Sequence, residues 1–428
     1  MSEKKYFPIK TATACLAKWS FSKVLLHLGE TSSCHRVINH NFDIETFNFH
    51  NTPEKLQERE IMLDGQWPDG NPDSRIETTC KQYCGKFEQN NGKSDRHFYN
   101  SIPNLYPDEL DNDPTLTEID PTILEVYIDN ICNLKCVYCL PELSSNIDFE
   151  MKKHGRFEKH GLVLETKHRP PENFDEIQEK FWWWMKNNAH KLKRLQLLGG
   201  EPFYQKQFDD FLNFFNANPC PNLEFNIVTN LMISSEKLKG YIERIKNLII
   251  DKKISRLDIT ASIDCWGPQQ EFVRFGIELT KWEENFKYLV SEKWIKLNIN
   301  NTVSVLTIKT LPELLHKLKD WTKNRKIEHY FSQLFYPTYM SSDILGAEEF
   351  QEDFKCILSL MESQSWRGAQ AKEHFKGLVN NVNLSKFKSK EVLKLITYLN
   401  ELDRRRKTNW QDLFPWLIKY EDLCGIQE

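Results

Sequence analysis

The 428-residue chain has no apolar run approaching the roughly 20 residues that a membrane-spanning helix requires, so no membrane association is expected. A net charge of -4 leaves no basic field for a polyanion, and no nucleic-acid partner is expected either. The N-terminal stretch MSEKKYFPIK is too polar for the apolar centre of a secretory leader, which points to a cytoplasmic protein. Repeats and low-complexity tracts are missing. Hydrophobic residues make up 40% and charged residues 28%, enough to fill a sizeable core in two or three domains. One further lack is local. Three cysteines crowd into residues 129–140, DNICNLKCVYCL, and no fourth stands near them.

Eleven cysteines in such a chain are expected as reduced thiols or metal ligands rather than disulfides. Seven fall into two groups: Cys132, Cys136 and Cys139, then Cys15, Cys34, Cys80 and Cys84. Cys220, Cys265, Cys356 and Cys424 are scattered and read as ordinary thiols. The triplet is spaced C-x3-C-x2-C directly after the β-branched run ILEVYID at 123–129. Three thiolates on one tight loop can hold three irons of a [4Fe–4S] cluster and leave the fourth iron open to another ligand. The alternative is structural zinc, which usually takes four ligands and C-x2-C pairs.

Residues 1–120 read as irregular. A strand pair is expected at 22–27 and 33–39 around a turn at GETSS (29–33), then a helix over 53–63 with Thr52 as its cap and Pro53 at its first position. WPDGNPD (67–73) and EQNNGKSDR (88–96) read as loops, and CKQYC (80–84) as a turn. The acidic, proline-punctuated LYPDELDNDPTL (105–116) marks a domain boundary. Beyond it, strands expected at 123–129, 194–199, 223–229, 256–264, 295–305 and 328–335 alternate with helices at 174–191, 205–217, 235–249, 277–292 and 311–321. A polar insertion occupies 142–171. This alternation predicts an α/β fold with a parallel sheet, curling through right-handed crossovers into a partial (β/α)6 TIM-like barrel. Chemistry then belongs at the C-terminal strand ends. The cysteine loop, GGEP (199–202), TN (229–230) and SID (262–264) all fall there. Residues 336–428 form a helical extension.

The cysteine triplet, with aromatic Tyr138 just before its last member, resembles the radical S-adenosylmethionine (SAM) enzymes. The resemblance runs over about residues 122–335 and includes Gly199, Gly200, Glu201 and Pro202 of GGEP, Ser262 and Asp264 of SID, and Arg274 in FVRFG. It implies that the open iron chelates the amino and carboxylate groups of SAM. The reduced cluster then cleaves the sulfonium to methionine and a 5′-deoxyadenosyl radical, which abstracts a substrate hydrogen atom. Glu201 would accept from the SAM ammonium, while the two glycines let backbone approach the ligand. Ser262 and Arg274 would serve the ribose and carboxylate. Asn230 and the NNTV stretch (300–303) stand where ribose and adenine contacts are usual. An electron donor of flavodoxin or ferredoxin type is implied as partner.

Cys15, Cys34, Cys80 and Cys84 make a closed four-thiolate set, with His35 as a neighbour expected at the surface. The stretches around Cys15–Cys34, FHNTPEKLQEREIMLDGQWP and GKSDR resemble twitch-domain-containing radical SAM proteins, which implies an auxiliary [4Fe–4S] cluster. In that family the auxiliary region normally follows the barrel, and here it precedes it. A zinc knot and unliganded thiols stay open as alternatives. Two other stretches take plain readings: FWWWM (181–185) is a packed helix face with one tryptophan half exposed, and RRRK (404–407) is a solvated helix end where cations favour the dipole. The expected organisation is therefore 1–120 as a cysteine-rich region, 121–335 as the radical SAM core and 336–428 as the helical region. The substrate implied is a peptide or protein; a sugar or nucleotide, and a non-catalytic Fe–S or zinc-stabilised binding protein, are the other readings.

Overall fold

The computed structural model describes residues 7–70, 74–89, 94–102, 105–362 and 369–422. Cys424, residues 71–73 and 90–93 of the two expected loops, and residues 1–6 of the polar N-terminal stretch lie outside the described residues.

Nine strands form one sheet: β1 (Phe21–Leu25), β2 (Glu30–Ser32), β3 (His40–Asn41), β4 (Ile123–Tyr127), β5 (Arg194–Leu198), β6 (Glu224–Thr229), β7 (Arg256–Ser262), β8 (Lys296–Val303) and β9 (Glu328–Gln333). Their spatial order is β9-β8-β7-β6-β5-β4-β1-β2-β3. All neighbours from β9 to β1 run parallel, and only β1–β2 and β2–β3 are antiparallel. The six expected core strands are thus all present. They are joined by the helices Phe174–Asn188, Gln207–Ala217, Ser235–Ile250, Leu279–Ser291 and Leu311–Thr322. The helix Ser235–Ile250 shows why such segments form. Ser234 accepts from the Lys237 amide at 3.3 Å, and Leu238, Tyr241, Ile242, Ile245 and Leu248 bury one stripe at helical spacing. Each such side chain contributes about 1.5–3 kcal/mol by leaving water.

Sheet burial follows the strand period of two. Leu124, Val126, Leu195, Leu197, Phe225 and Ile227 are buried in the main core. The opposite face is polar, and register sets Lys23, Glu125, Gln196, Asn226, Asp258 and Lys296 at one level across it. Near the N-terminal strand ends, ion pairs knit this face together: Arg194–Glu224 at 2.7 Å, Arg256–Glu224 at 2.9 Å and Lys296–Asp258 at 3.3 Å.

The N-terminal region departs from expectation in three ways. Residues 30–32 of the expected GETSS turn are strand β2, the chain reverses over 26–29, and most of 33–39 is loop. Threonine and serine serve turns and strands alike, so local composition did not separate the two. The CKQYC segment is no turn but part of a π-helix, Ile76–Gly85. Finally, β1 pairs with β4 along five residues, Phe21↔Ile123 to Leu25↔Tyr127, so the sheet continues across the expected boundary at 120. The expected helix at 53–63 is present as Pro53–Asp64, and Thr52 accepts from the Lys55 amide at 3.3 Å.

The C-terminal region contains the helices Gln351–Glu362, Ala369–Asn383, Ser389–Arg406 and Trp410–Leu413. Within FWWWM, Phe181 and Met185 are buried and Trp183 is 64% exposed. Among the described residues, no helix is long and apolar enough to cross a membrane.

Candidate functional site

Cys132, Cys136 and Cys139 stand on the loop that follows β4. The loop is fixed at almost every residue. The Cys132 amide donates to Ser145 Oγ at 3.1 Å, and Ser144 Oγ donates to the Leu134 carbonyl at 3.0 Å. Asn130 Nδ2 donates to the Pro141 carbonyl at 2.9 Å. Lys135 and Cys136 form a short antiparallel ladder with Phe275 and Arg274, and the Val137 amide donates to the Val273 carbonyl at 2.8 Å. The charge of Cys136 acts on both of the other thiols. Burial, then the charge of Cys136, pushes Cys132 up to about 12. Burial, then Cys136 and Cys132, raises Cys139 well above the thiol range. Burial also raises Cys136, while the Arg274 and Arg406 guanidinium groups pull it back. Thiols this reluctant to ionise alone become thiolates when a cation neutralises them.

GGEP lies against this loop. The Glu201 amide donates to the Ile131 carbonyl at 2.8 Å and the Gly200 amide to the Leu143 carbonyl at 3.2 Å. Both glycines have positive φ, +81° and +55°. A Cβ at Gly199 would lie 2.5 Å from the Tyr127 ring, and one at Gly200 would lie 2.0 Å from the Ile131 carbonyl oxygen. Within the fold these glycines let GGEP close on the end of β4 and on the cysteine loop. Glu201 is buried, and its oxygens accept from Thr229 Oγ1 at 2.7 Å and the Asn230 amide at 2.7 Å. Burial, partly offset by these donors, lifts its carboxyl to about 7. Among the described residues, only the Asn230 amide donates to Oε2, at 2.7 Å, which leaves that oxygen a second lone pair. Asn230 reaches back to the loop, Nδ2 donating to Asn133 Oδ1 at 2.9 Å.

On the loop's other flank, Asp264 is fully buried and receives three partners. Arg274 binds it through two nitrogens at 2.8 and 2.9 Å, Tyr138 donates its hydroxyl at 2.7 Å, and the Thr302 amide donates at 2.9 Å. This bidentate, buried pair ties the end of β7 to the residue before Cys139. Arg274 and Tyr138 therefore brace the loop in this structure. Ser262 closes β7 opposite Asn300 of β8 and is buried beside the triad. The cysteines, Tyr138, Asp264 and Arg274 thus form one cluster, while Gly199, Gly200, Glu201 and Asn230 form the adjoining wall.

Cys15, Cys34 and the pair Cys80 and Cys84 of the π-helix come from three segments yet line one cavity of about 20 Å³, with Lys18, Arg36, Asp95, Arg96 and Tyr99. Burial, then the neighbouring Cys34, Cys84 and Cys80, raises Cys15 well above the thiol range. Burial lifts Cys80 to about 12 against the pull of Lys18. Lys18 is itself buried between Glu58 at 2.7 Å and Ser33 at 2.8 Å. Four soft donors suit thiophilic metals. The cavity between them is about the size of one water. His35 is half exposed, 3.3 Å from Asp95, with its ring 3.9 Å from Cys34 Sγ. Among the described residues, no three His, Cys, Asp or Glu side chains are grouped to hold one metal ion.

Several residues that matter here carried no motif. Asn133, Gln205, Ser144 and Ser145 fix the loop through bonds to backbone or to other strand ends; Gln205 Nε2 donates to the Gly199 carbonyl at 2.8 Å and the Asp129 carbonyl at 3.2 Å. Adjacency of Asn133 to Cys132 was the one available signal.

No family model matches the chain, and no curated protein matches it in sequence. Among solved structures, it is similar to Streptococcus suis SuiB bound to S-adenosylmethionine, at 13% identity and a TM-score of 0.37, covering 80% of this chain and 69% of that one. SuiB bound to precursor peptide SuiA gives 12% identity and 0.37, over 81% and 69%. Native anSMEcpe with bound AdoMet gives 17% identity and 0.36, over 64% and 66%.

Proposed function

We propose that the chain is a radical SAM enzyme with Cys132, Cys136 and Cys139 as ligands of a [4Fe–4S] cluster. The observation that carries this reading is the set of three thiols, Cys136 buried and Cys132 and Cys139 half-buried, on a braced loop at the C-terminal edge of a parallel sheet. Bound there, the reduced cluster supplies the electron that cleaves SAM to a 5′-deoxyadenosyl radical. The chain's own residues hold and orient. Tyr138, Asp264 and Arg274 keep Cys136 and Cys139 in place. Glu201 offers a lone pair on Oε2 to the SAM ammonium, and an arriving cation offsets the burial that keeps its carboxyl near 7. Gly199, Gly200, Asn230 and Ser262 shape the adjoining wall.

The sheet is taken as a partial (β/α)6 barrel. Supporting this, Phe335, just after edge strand β9, lies 6.2 Å from the Tyr83 ring of the π-helix and 5.3 Å from the Arg36 guanidinium in the loop before β3. The polar sheet face would then be the interior. There Asn226 Oδ1 and Asn298 Oδ1 are buried without a hydrogen-bond partner, which favours a substrate rich in N–H or O–H donors. A peptide is the first choice, with a sugar or nucleotide as the other class of that kind. We assign Cys15, Cys34, Cys80 and Cys84 to a second, closed metal site, an auxiliary [4Fe–4S] cluster. The parts are 1–120, 121–335 and 336–428, in a cytoplasmic enzyme served by a flavodoxin- or ferredoxin-like donor.

Anaerobic reconstitution tests both sites together. The expected result is about 7–8 Fe per chain and release of 5′-deoxyadenosine with dithionite and SAM. Cys132→Ala abolishes the release. Zinc in place of iron, or a loaded cluster that leaves SAM intact, sinks the enzyme reading in favour of a binding protein.

A further inference from the structure

Only half of the run RRRK at the end of the helix Ser389–Arg406 is the solvated face that its sequence suggests: Arg404 and Lys407 are exposed. Arg405 and Arg406 are each 1% exposed in their side chains. Arg406 is inserted against the outside of the cysteine loop. Its Nη1 donates to the Lys135 carbonyl at 3.0 Å, and its Nε and Nη2 donate to Glu150 at 3.1 and 3.0 Å. The guanidinium also covers the Phe275 ring at 5.1 Å. Tyr398, about two turns earlier on the same helix, donates its hydroxyl to the Val137 carbonyl at 2.6 Å. Lys135 and Val137 flank Cys136. One rigid helix therefore grips the backbone on both sides of a single thiol.

The charges around Arg406 do not cancel. Glu150 faces both Arg406 and Lys135, the latter at 3.1 Å. On the helix itself, Glu401 is occupied by Arg404 and Arg405, and Asp403 accepts from Thr408 Oγ1 and from the Trp410 amide at 2.8 Å. Arg274, on the loop's other side, is matched by Asp264. Glu150 therefore balances only one of the two cations it faces, and of these the Arg406 guanidinium is buried against the backbone beside Cys136 while the Lys135 side chain is 30% exposed.

We propose that Tyr398 and Arg406 are positioning residues for the Cys136 ligand, and that Arg406 also favours the reduced state of the group bound there. The positioning half holds for the metal-free chain. The charge half rests on the radical SAM reading, because one-electron reduction by an external donor such as dithionite adds a negative charge that a neighbouring guanidinium stabilises.

Two measurements on the full chain separate these halves. In the metal-free, reduced protein, alkylation by iodoacetamide is mapped by mass spectrometry. Arg406→Gln and Tyr398→Phe are each expected to speed modification of Cys136 several-fold, with Cys220, buried elsewhere, unchanged. No change at Cys136, or an equal rise at Cys220, overturns the positioning role. In the reconstituted protein, an EPR-monitored redox titration is expected to place Arg406→Gln at a more negative potential than wild type. Arg406→Lys restores the wild-type potential, and Tyr398→Phe leaves it unmoved. Equal potentials for wild type and Arg406→Gln overturn the charge role. A wild-type protein that takes up no iron and sulfide refutes the radical SAM reading and the charge role with it, while the alkylation result still decides the positioning role.

Discussion

At the scale of single residues, Gly200 and Glu201 illustrate how a short motif serves the fold as well as the site proposed on it. Gly200 has φ +55°, and any Cβ would strike the Ile131 carbonyl. Backbone conformation and collision both oppose a side chain, so Gly200→Ala is expected to destabilise the metal-free protein by roughly 2–4 kcal/mol in urea unfolding. A loss below about 0.5 kcal/mol, the size of an ordinary surface substitution, would mean that the loop and GGEP part easily. Glu201 bears on pH. Its folded carboxyl sits near 7 against an ordinary value of 4.5. Below 4.5 both folded and unfolded chains keep the proton, and nothing is lost. As pH rises from 4.5 to 7, the unfolded chain releases its proton first, so stability falls by roughly 3 kcal/mol. Stability of the metal-free protein at pH 5 and pH 8 should therefore differ less in Glu201→Gln than in wild type. Equal pH differences would show that burial does not control this carboxyl.

At the scale of elements, the helix Pro53–Asp64 and the π-helix Ile76–Gly85 stand at opposite ends of legibility. The first announces itself through Thr52 and Pro53. Thr52 caps Lys55 and also bonds His40 Nε2 at 2.8 Å, so Thr52→Ala should cost about 1 kcal/mol, read from the urea midpoint. The second cannot be read locally, because a π-helix uses the same residue types as an α-helix or turn and differs only in bonding to the fifth residue. Its consequence is that Cys80 and Cys84 share a cavity with Cys15 and Cys34. If that cavity holds the auxiliary cluster, Cys80→Ala should lower the iron content by about half and spare SAM cleavage. Loss of cleavage with full iron at Cys132, Cys136 and Cys139 would tie the two sites together functionally.

At the scale of the whole molecule, the N-terminal region is part of the sheet rather than an attachment to it. β1 covers the edge of β4 with a five-residue parallel ladder, and β4 launches the cysteine loop. A fragment spanning 121–428 would expose that edge and its backbone groups. It is expected to lack a cooperative thermal transition by circular dichroism. A cooperatively folding fragment would restore the boundary at 120 as a true domain limit.

What the sequence determined alone was local: the C-x3-C-x2-C loop after a strand, the six core strands and the helices between them. Periods of two and 3.6 and the spacing of thiols are properties of neighbours in the chain. What tertiary structure decided were the contacts between distant segments. Arg406 meets the Lys135 carbonyl across 271 residues and Tyr398 meets the Val137 carbonyl across 261. A cationic helix end is solvated or buried according to what packs against it, and here Glu150, Phe275 and the Lys135 carbonyl bury Arg406. The same holds for GGEP, whose glycines are required by the Tyr127 ring and the Ile131 carbonyl that folding brings against them. Local pattern specifies which elements form. The faces they present to one another settle only when the core closes.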